Sequence, residues 1–218
     1  LTGAVEPHAE ELASVQAAAD GGAASADEAQ PLITDLDTSE RVAGVIEASR
    51  GRAFLLFTSH RALEAAARAL RARPAEGGRM LVQGEAPREK LLRAFRDAGD
   101  AVLLGTASFW EGVDVKGPAL RLVVIDRLPF APPDDPVLRA RIAQAREAGE
   151  DPFQLIQVPE AALTLKQGVG RLIRSEEDQG VVAICDPRLT SRGYGRRLLD
   201  ALPPMQRSRD LAAAQERL

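Results

Sequence analysis

The 218-residue chain is 45% apolar and contains no run of 18 apolar residues, which allows a sizeable core and argues against a membrane-spanning helix. Its one cysteine, Cys185, excludes an internal disulfide and any multi-cysteine metal or iron–sulfur site within the chain; with no signal-peptide layout, a reducing cytoplasm is the expected setting. The net charge of −4 is unevenly spread: residues 1–40 carry nine Asp/Glu and no Lys/Arg, so the remainder sets 28 basic against 23 acidic residues, a mild positive balance that permits nucleic-acid binding.

Residues 1–19 suit a short Ala/Glu-rich helix, and Asp20 to Pro31 is small, polar and acidic, as in a linker or mobile loop. Residues 1–40 are therefore read as an acidic leader of uncertain origin. Strand and helix signals then alternate. Strands are expected at Ala53–Phe57, Met80–Val82, Ala101–Leu104, Leu120–Ile125 and Gly180–Cys185. Helices are expected at His60–Arg73, Pro87–Ala98, from an Asp134 or Asp135 cap to Arg146, Pro159–Ile173 and Gly195–Ala201. Residues 206–218 form a basic tail. The alternation predicts an α/β fold over residues 41–205: a doubly wound, mostly parallel sheet with helices on both faces. Such sheets bind ligands at the carboxyl ends of their strands.

Unusual residues collect at those predicted ends. The first strand runs into Thr58-Ser59-His60, whose hydroxyls and free amides suit an anion or an ordinary helix cap. The second runs into Gln83-Gly84, suited to bridging phosphate and sugar or simply to turning the chain. The third leads into GTASFWEGVDVKG at 105–117, with three glycines, two hydroxyls, two carboxylates and the only tryptophan. There Thr106 and Ser108 can donate to a nucleic-acid phosphate, Asp114 can accept from a ribose, and Glu111 can pair with an arginine or position water. Trp110 suits base stacking or burial as a packing anchor. Cys185 reads as a small buried apolar residue.

The segment QGVGRLIR at 167–174 places Gln167, Gly170, Arg171 and Arg174 at i, i+3, i+4 and i+7, one face of a helix. Ala162, Leu165, Val169, Leu172 and Ile173 make a separate apolar stripe. Guanidinium groups on the polar face suit the charge on a transferring phosphoryl group. Pairing with Glu176, Glu177 or Asp178 on a surface helix is the plainer alternative.

Leu56-Phe57-Thr58-Ser59-His60, GTASFWEGVDVKG and QGVGRLIR, in that order, resemble motifs IV, V and VI of superfamily 2 helicases. The Ser-Phe-Trp-Glu-Gly-Val-Asp form, with Leu128-Pro-Phe130, Asp186-Pro-Arg188 and Tyr194-Gly-Arg196, is similar to the XPD/DinG-like iron–sulfur branch, bacterial DinG/YoaA type. The resemblance covers about residues 50–205 and implies the second RecA-like motor domain of an ATP-dependent 5′→3′ DNA helicase. It implies Arg171 and Arg174 as arginine fingers with Gln167 beside them, and Gly112, Asp114, Glu111 and Gly170 at the nucleotide. It also implies Thr58, Ser59, Gln83, Thr106 and Ser108 on single-stranded DNA.

In that family ATP and Mg2+ are shared with a first motor domain, which carries the Walker motifs and the cysteines of a 4Fe–4S cluster. None of these motifs stands in this chain, which is therefore expected to be part of a longer helicase and inactive alone. A replisome protein such as the DNA polymerase III chi subunit is a further partner implied by the YoaA type. The alternative function is a non-catalytic docking module derived from a motor domain, with the acidic leader and Arg207, Arg209 and Arg217 of the tail as partner segments.

Overall fold

A computed structural model describes residues 32–34, 41–72, 78–106, 109, 120–132, 134–170, 172 and 179–218. The strands are β1 (Leu32–Thr34), β2 (Ala53–Leu56), β3 (Met80–Val82), β4 (Val102–Gly105), β5 (Leu122–Ile125), β6 (Val181–Ile184) and β7 (Arg207–Ser208). The helices are α1 (Arg41–Ala48), α2 (His60–Arg71), α3 (Arg88–Ala98), α4 (Pro136–Glu147), α5 (Val158–Val169), α6 (Arg188–Ser191), α7 (Gly195–Asp200) and α8 (Leu211–Gln215). A five-residue π-helical turn, Phe153–Gln157, runs directly into α5.

The strands form one sheet in the order β3-β4-β2-β5-β6-β1-β7, and every pairing is parallel. The four central strands β2, β4, β5 and β6 are buried at every residue. Such continuous apolar runs are what a parallel strand covered on both faces requires. Because side chains alternate across a strand, Phe54, Leu56, Leu103, Val123 and Ile125 enter one core layer with Phe95, Leu165 and Leu198 of α3, α5 and α7. Leu55, Phe57, Leu104 and Val124 enter the other with Val45, Leu63 and Ala214 of α1, α2 and α8. A small satellite cluster of Leu138, Ala145 and Ile156 holds α4 to the π-helical turn.

The expected strands and the helices that follow β2, β3, β5 and β6 appear within a few residues of the predicted bounds. Asp135 makes the α4 cap, accepting from the Leu138 amide at 2.8 Å, with Pro136 in the first turn. The helix expected to reach Ile173 stops at Val169, and Leu172 stands in a turn. Glycines at 168 and 170 weaken continued helix there, each by roughly 1 kcal/mol relative to alanine. The last two strands at one side of the sheet, β1 and β7, are not expected from the sequence: one is a three-residue segment in an acidic stretch, the other an Arg-Ser pair. The helix and linker expected within residues 1–31 lie outside the described residues. Among the described residues no helix is long and apolar enough to cross a membrane.

Candidate functional site

The strand register sets up the carboxyl edge. Val82 pairs with Leu104, Leu56 with both Gly105 and Ile125, and Ile125 with Ile184. The ladder continues one residue further through Gln83 N to Leu104 O at 3.0 Å and Phe57 N to Gly105 O at 2.9 Å. It does the same through Asp126 N to Leu56 O at 3.0 Å and Cys185 N to Ile125 O at 2.9 Å. Gln83, Thr106, Phe57, Asp126 and Cys185 therefore stand in that order along one edge.

Four of the five residues expected on nucleic acid collect at one end of this edge. Thr58 and Ser59 are exposed. Ser59 is the extended N-cap of α2, its Oγ accepting from the Ala62 amide at 3.2 Å, so the plain cap geometry is present. Gln83 Oε1 accepts from both the amide and the hydroxyl of Thr106, at 2.6 and 3.0 Å. Thr106 is only 6% exposed. Gly84 has φ of +98°, a left-handed conformation that glycine adopts freely as the chain turns out of β3. Ser108, Trp110, Glu111, Gly112 and Asp114 lie outside the described residues. Phe109 is described: it is buried, and its ring meets Phe54 edge-on at 6.4 Å.

The α5 residues go elsewhere. Ala162, Leu165, Val169 and Leu172 are buried, as the apolar stripe predicts, and Gln167 is exposed. Gly170 caps the helix, its amide donating to Lys166 O at 2.8 Å. Leu172 packs beside Gly180, where a Cβ would stand 2.7 Å from Leu172 Cδ1 and 2.4 Å from Arg121 O. Gly180 and Arg121 lie just before β6 and β5, so α5 delivers Gly170 and Leu172 toward the amino edge, away from Gln83 and Thr106. Arg171, Ile173 and Arg174 lie outside the described residues.

Leu128-Pro-Phe130, Asp186-Pro-Arg188 and Tyr194-Gly-Arg196, which in the sequence are only marks of resemblance, meet in one cluster at the carboxyl edge. Asp186 is almost fully buried. Its carboxylate accepts from the amides of Leu128 and Arg188, each at 2.9 Å, and from Arg188 Nε and Nη2 at 2.9 and 2.6 Å. Burial alone would raise its pKa, but the Arg188 guanidinium and the two amides hold the carboxyl below the usual carboxylate range. Arg188 lies over the Phe130 ring at 5.5 Å, and Phe130, Phe153 and Tyr194 pack with centroids 5.1 to 5.5 Å apart. Cys185 next to it is buried, and burial with the charges of Asp126 and Asp186 pushes its thiol up to about 12. That removes it as a nucleophile at neutral pH. One buried cysteine does not fit the four thiolates of an iron–sulfur cluster.

The profile of the helicase C-terminal domain matches residues 42–205. The chain belongs to that family. Within it, this helicase C-terminal domain is of the DinG/YoaA type. It is 52% identical over 170 residues to the ATP-dependent DNA helicase YoaA of Escherichia coli, a match covering 78% of this chain and 26% of that protein. To the ATP-dependent helicase DinG of Mycobacterium tuberculosis it is 44% identical over 163 residues, covering 75% and 24%. To the 3′-5′ exonuclease DinG of Bacillus subtilis it is 42% identical over 170 residues, covering 77% and 18%. The helicase domain thus spans about a quarter or less of these relatives. A solved XPD helicase superposes with a TM-score of 0.57 at 20% identity, covering 83% of this chain and 35% of that one. Saccharomyces cerevisiae Dbp5 bound to RNA and ADP BeF3 superposes with a TM-score of 0.58 at 15% identity, covering 91% and 46%. The fold is that of the RecA-like helicase C-terminal domains.

Proposed function

We propose that this chain is the second motor domain of an ATP-dependent 5′→3′ DNA helicase, and that it works on two ligands at two separate surfaces. The observation that carries the reading is the division of the candidate residues. Thr58, Ser59, Gln83 and Thr106 gather at the carboxyl edge, whereas Gly170, two residues before the buried Leu172 that packs beside Gly180, lies toward the amino edge. One small ligand cannot touch both groups; a nucleic-acid strand and a nucleotide can. In this reading the exposed hydroxyls of Thr58 and Ser59, with Ser108, grip the backbone of single-stranded DNA, with Gln83 and Thr106 beside them. Gln167, Arg171 and Arg174, at and beyond the end of α5, face the γ-phosphate of ATP, with Gly112, Asp114, Glu111 and Gly170 around the nucleotide.

Bound ATP supplies the phosphoryl group whose hydrolysis drives movement. The contribution of Arg171 and Arg174 is to place fixed positive charge where negative charge builds during transfer. The remaining nucleotide contacts, Mg2+ and the 4Fe–4S cluster belong to parts of the longer protein. Arg171→Ala and Arg174→Ala in that longer helicase are expected to lower ATP turnover by about 10³-fold or more, the usual worth of an arginine finger. The single-stranded DNA affinity should remain within about threefold, since neither residue is on the DNA surface in this reading. Turnover close to wild type in both variants would sink the assignment. The docking-module alternative and a chi-type replisome partner would engage the C-terminal tail, where Arg207 bonds Leu199 O at 2.9 Å and Arg217 O accepts from Arg121 at 3.0 Å.

A further inference from the structure

The geometry points to Gln83 as a positioning residue that fixes Thr106, where the chain leaves β4, through its carbonyl oxygen, rather than as a direct contact to the DNA backbone. This rests on the two-ligand reading above for its functional consequence. The first observation is the direction of the side chain. A backbone N–H can only donate, so the group 2.6 Å from the Thr106 amide is Gln83 Oε1. The same oxygen takes the Thr106 hydroxyl proton at 3.0 Å. Thr106 has then given up both of its donors inside the protein, and the residue is 6% exposed. It has no proton left for a phosphate.

The second observation is how Gln83 is aimed. Glu85 N donates to Val82 O at 3.1 Å, closing a four-residue turn with Gly84 in its third position at φ of +98°. The turn places Gln83 where the chain leaves β3, beside the end of β4, and sends its side chain sideways across the sheet edge.

The third observation is what the bond holds. Thr106 O accepts from the Phe109 amide at 2.8 Å. Phe109 is 1% exposed and packs so closely on Gly105 that a Cβ there would lie 2.7 Å from Phe109 Cβ. The Arg88 guanidinium, at the start of α3, lies over the Phe109 ring at 5.6 Å. Two connections, β3 to α3 and the one that leaves β4, are therefore tied at two points: Gln83 to Thr106 and Arg88 to Phe109. The connection leaving β4 carries Glu111, Gly112 and Asp114.

The test has two arms. In this chain, amide hydrogen exchange is measured at Thr106 and Phe109 for Gln83→Ala, Thr106→Val, the double variant and Gln83→Glu. Loss of the bridge speeds exchange by about tenfold, the worth of one net hydrogen bond. Because Thr106→Val acts only through Gln83, it adds nothing in the Gln83→Ala background, and Gln83→Glu, which keeps the acceptors, stays near wild type. Independent effects of the two changes, or no effect of Gln83→Ala, would overturn the positioning role. In the longer helicase, Kd for an oligo-dT strand is measured for the same variants. Positioning predicts that Gln83→Glu binds better than Gln83→Ala despite its added negative charge; a direct phosphate contact predicts the reverse order and rejects the inference. If the wild-type helicase does not bind the strand at all, the two-ligand reading fails, and the exchange arm still decides the role of Gln83.

Discussion

Asp186 is held by four donors from two segments: the Leu128 amide after β5, and the amide, Nε and Nη2 of Arg188 at the start of α6. A carboxylate this buried is tolerated only when its lone pairs are filled. Asparagine presents one oxygen and an NH2 group with two donors where four donors converge. Asp186→Asn is therefore expected to cost about 2–3 kcal/mol, the usual worth of hydrogen bonds to a charged group, read as a lower urea midpoint at neutral pH. The pH dependence has a definite sign. The folded carboxyl titrates below its unfolded value, so its contribution is complete above the unfolded carboxylate range, near pH 4, and is lost as pH falls through the folded value. The wild-type midpoint should fall more steeply below about pH 4 than that of Asp186→Asn. Parallel acid limbs in the two proteins would contradict the assignment of that charge.

At the level of elements, tight backbone contacts explain residues that composition cannot. A Cβ on Gly195, the first residue of α7, would stand 1.9 Å from the Leu189 carbonyl oxygen of α6. That neighbour is backbone and cannot swing away, so the Gly of Tyr194-Gly-Arg196 is a packing requirement between two short helices. Gly195→Ala is expected to destabilise by at least about 1–3 kcal/mol, the range for overpacked sites, and to loosen the Phe130–Phe153–Tyr194 cluster, seen as a weaker near-ultraviolet signal. An unchanged urea midpoint would show that α6 and α7 can separate without cost. The central strands were legible because Ala53–Leu56, Val102–Leu104, Leu122–Ile125 and Val181–Ile184 are apolar at every position, and only a parallel strand buried on both faces needs that. β7 was not legible: Arg207 and Ser208 carry no apolar signal, and what places them in the sheet is their register with Leu32 and Ile33 of β1. The Gln83–Thr106 bridge was equally hidden, because each residue was read as facing a ligand and nothing local tells that residues 23 apart face each other. The end of α5 was half legible: the apolar stripe through Leu165 and Val169 is real, but the glycines at 168 and 170, not Ile173, mark where the helix stops.

For the molecule as a whole, the C-terminal residues are built into the domain rather than appended to it. β7 extends the sheet beyond β1, with Leu32 opposite Arg207 and Ile33 opposite Ser208. α8 lies on α1, where a Cβ on Gly44 would meet Gln215 Nε2 at 2.9 Å, and Ala214 is fully buried in the core layer that contains Val45 and Val181. Arg121, just before β5, donates to the Arg217 carbonyl at 3.0 Å. Deleting residues 207–218 therefore uncovers α1 and the sheet edge at once. The expected cost is about 2–4 kcal/mol, the worth of one or two buried aliphatic side chains, measured as a lower urea midpoint of the truncated chain. An unchanged midpoint would show that β7 and α8 merely rest on the surface. The size of this loss also governs how a partner is sought. A truncated chain that fails to capture a partner has lost its α1 face as well as its arginines, so the two causes are inseparable in that experiment. Arg209→Ala, which leaves Ala214, Arg207 and the Arg121 contact in place, separates them: a docking role of the tail arginines predicts weaker capture at an unchanged midpoint, whereas a tail that serves only to complete the sheet predicts no change in either.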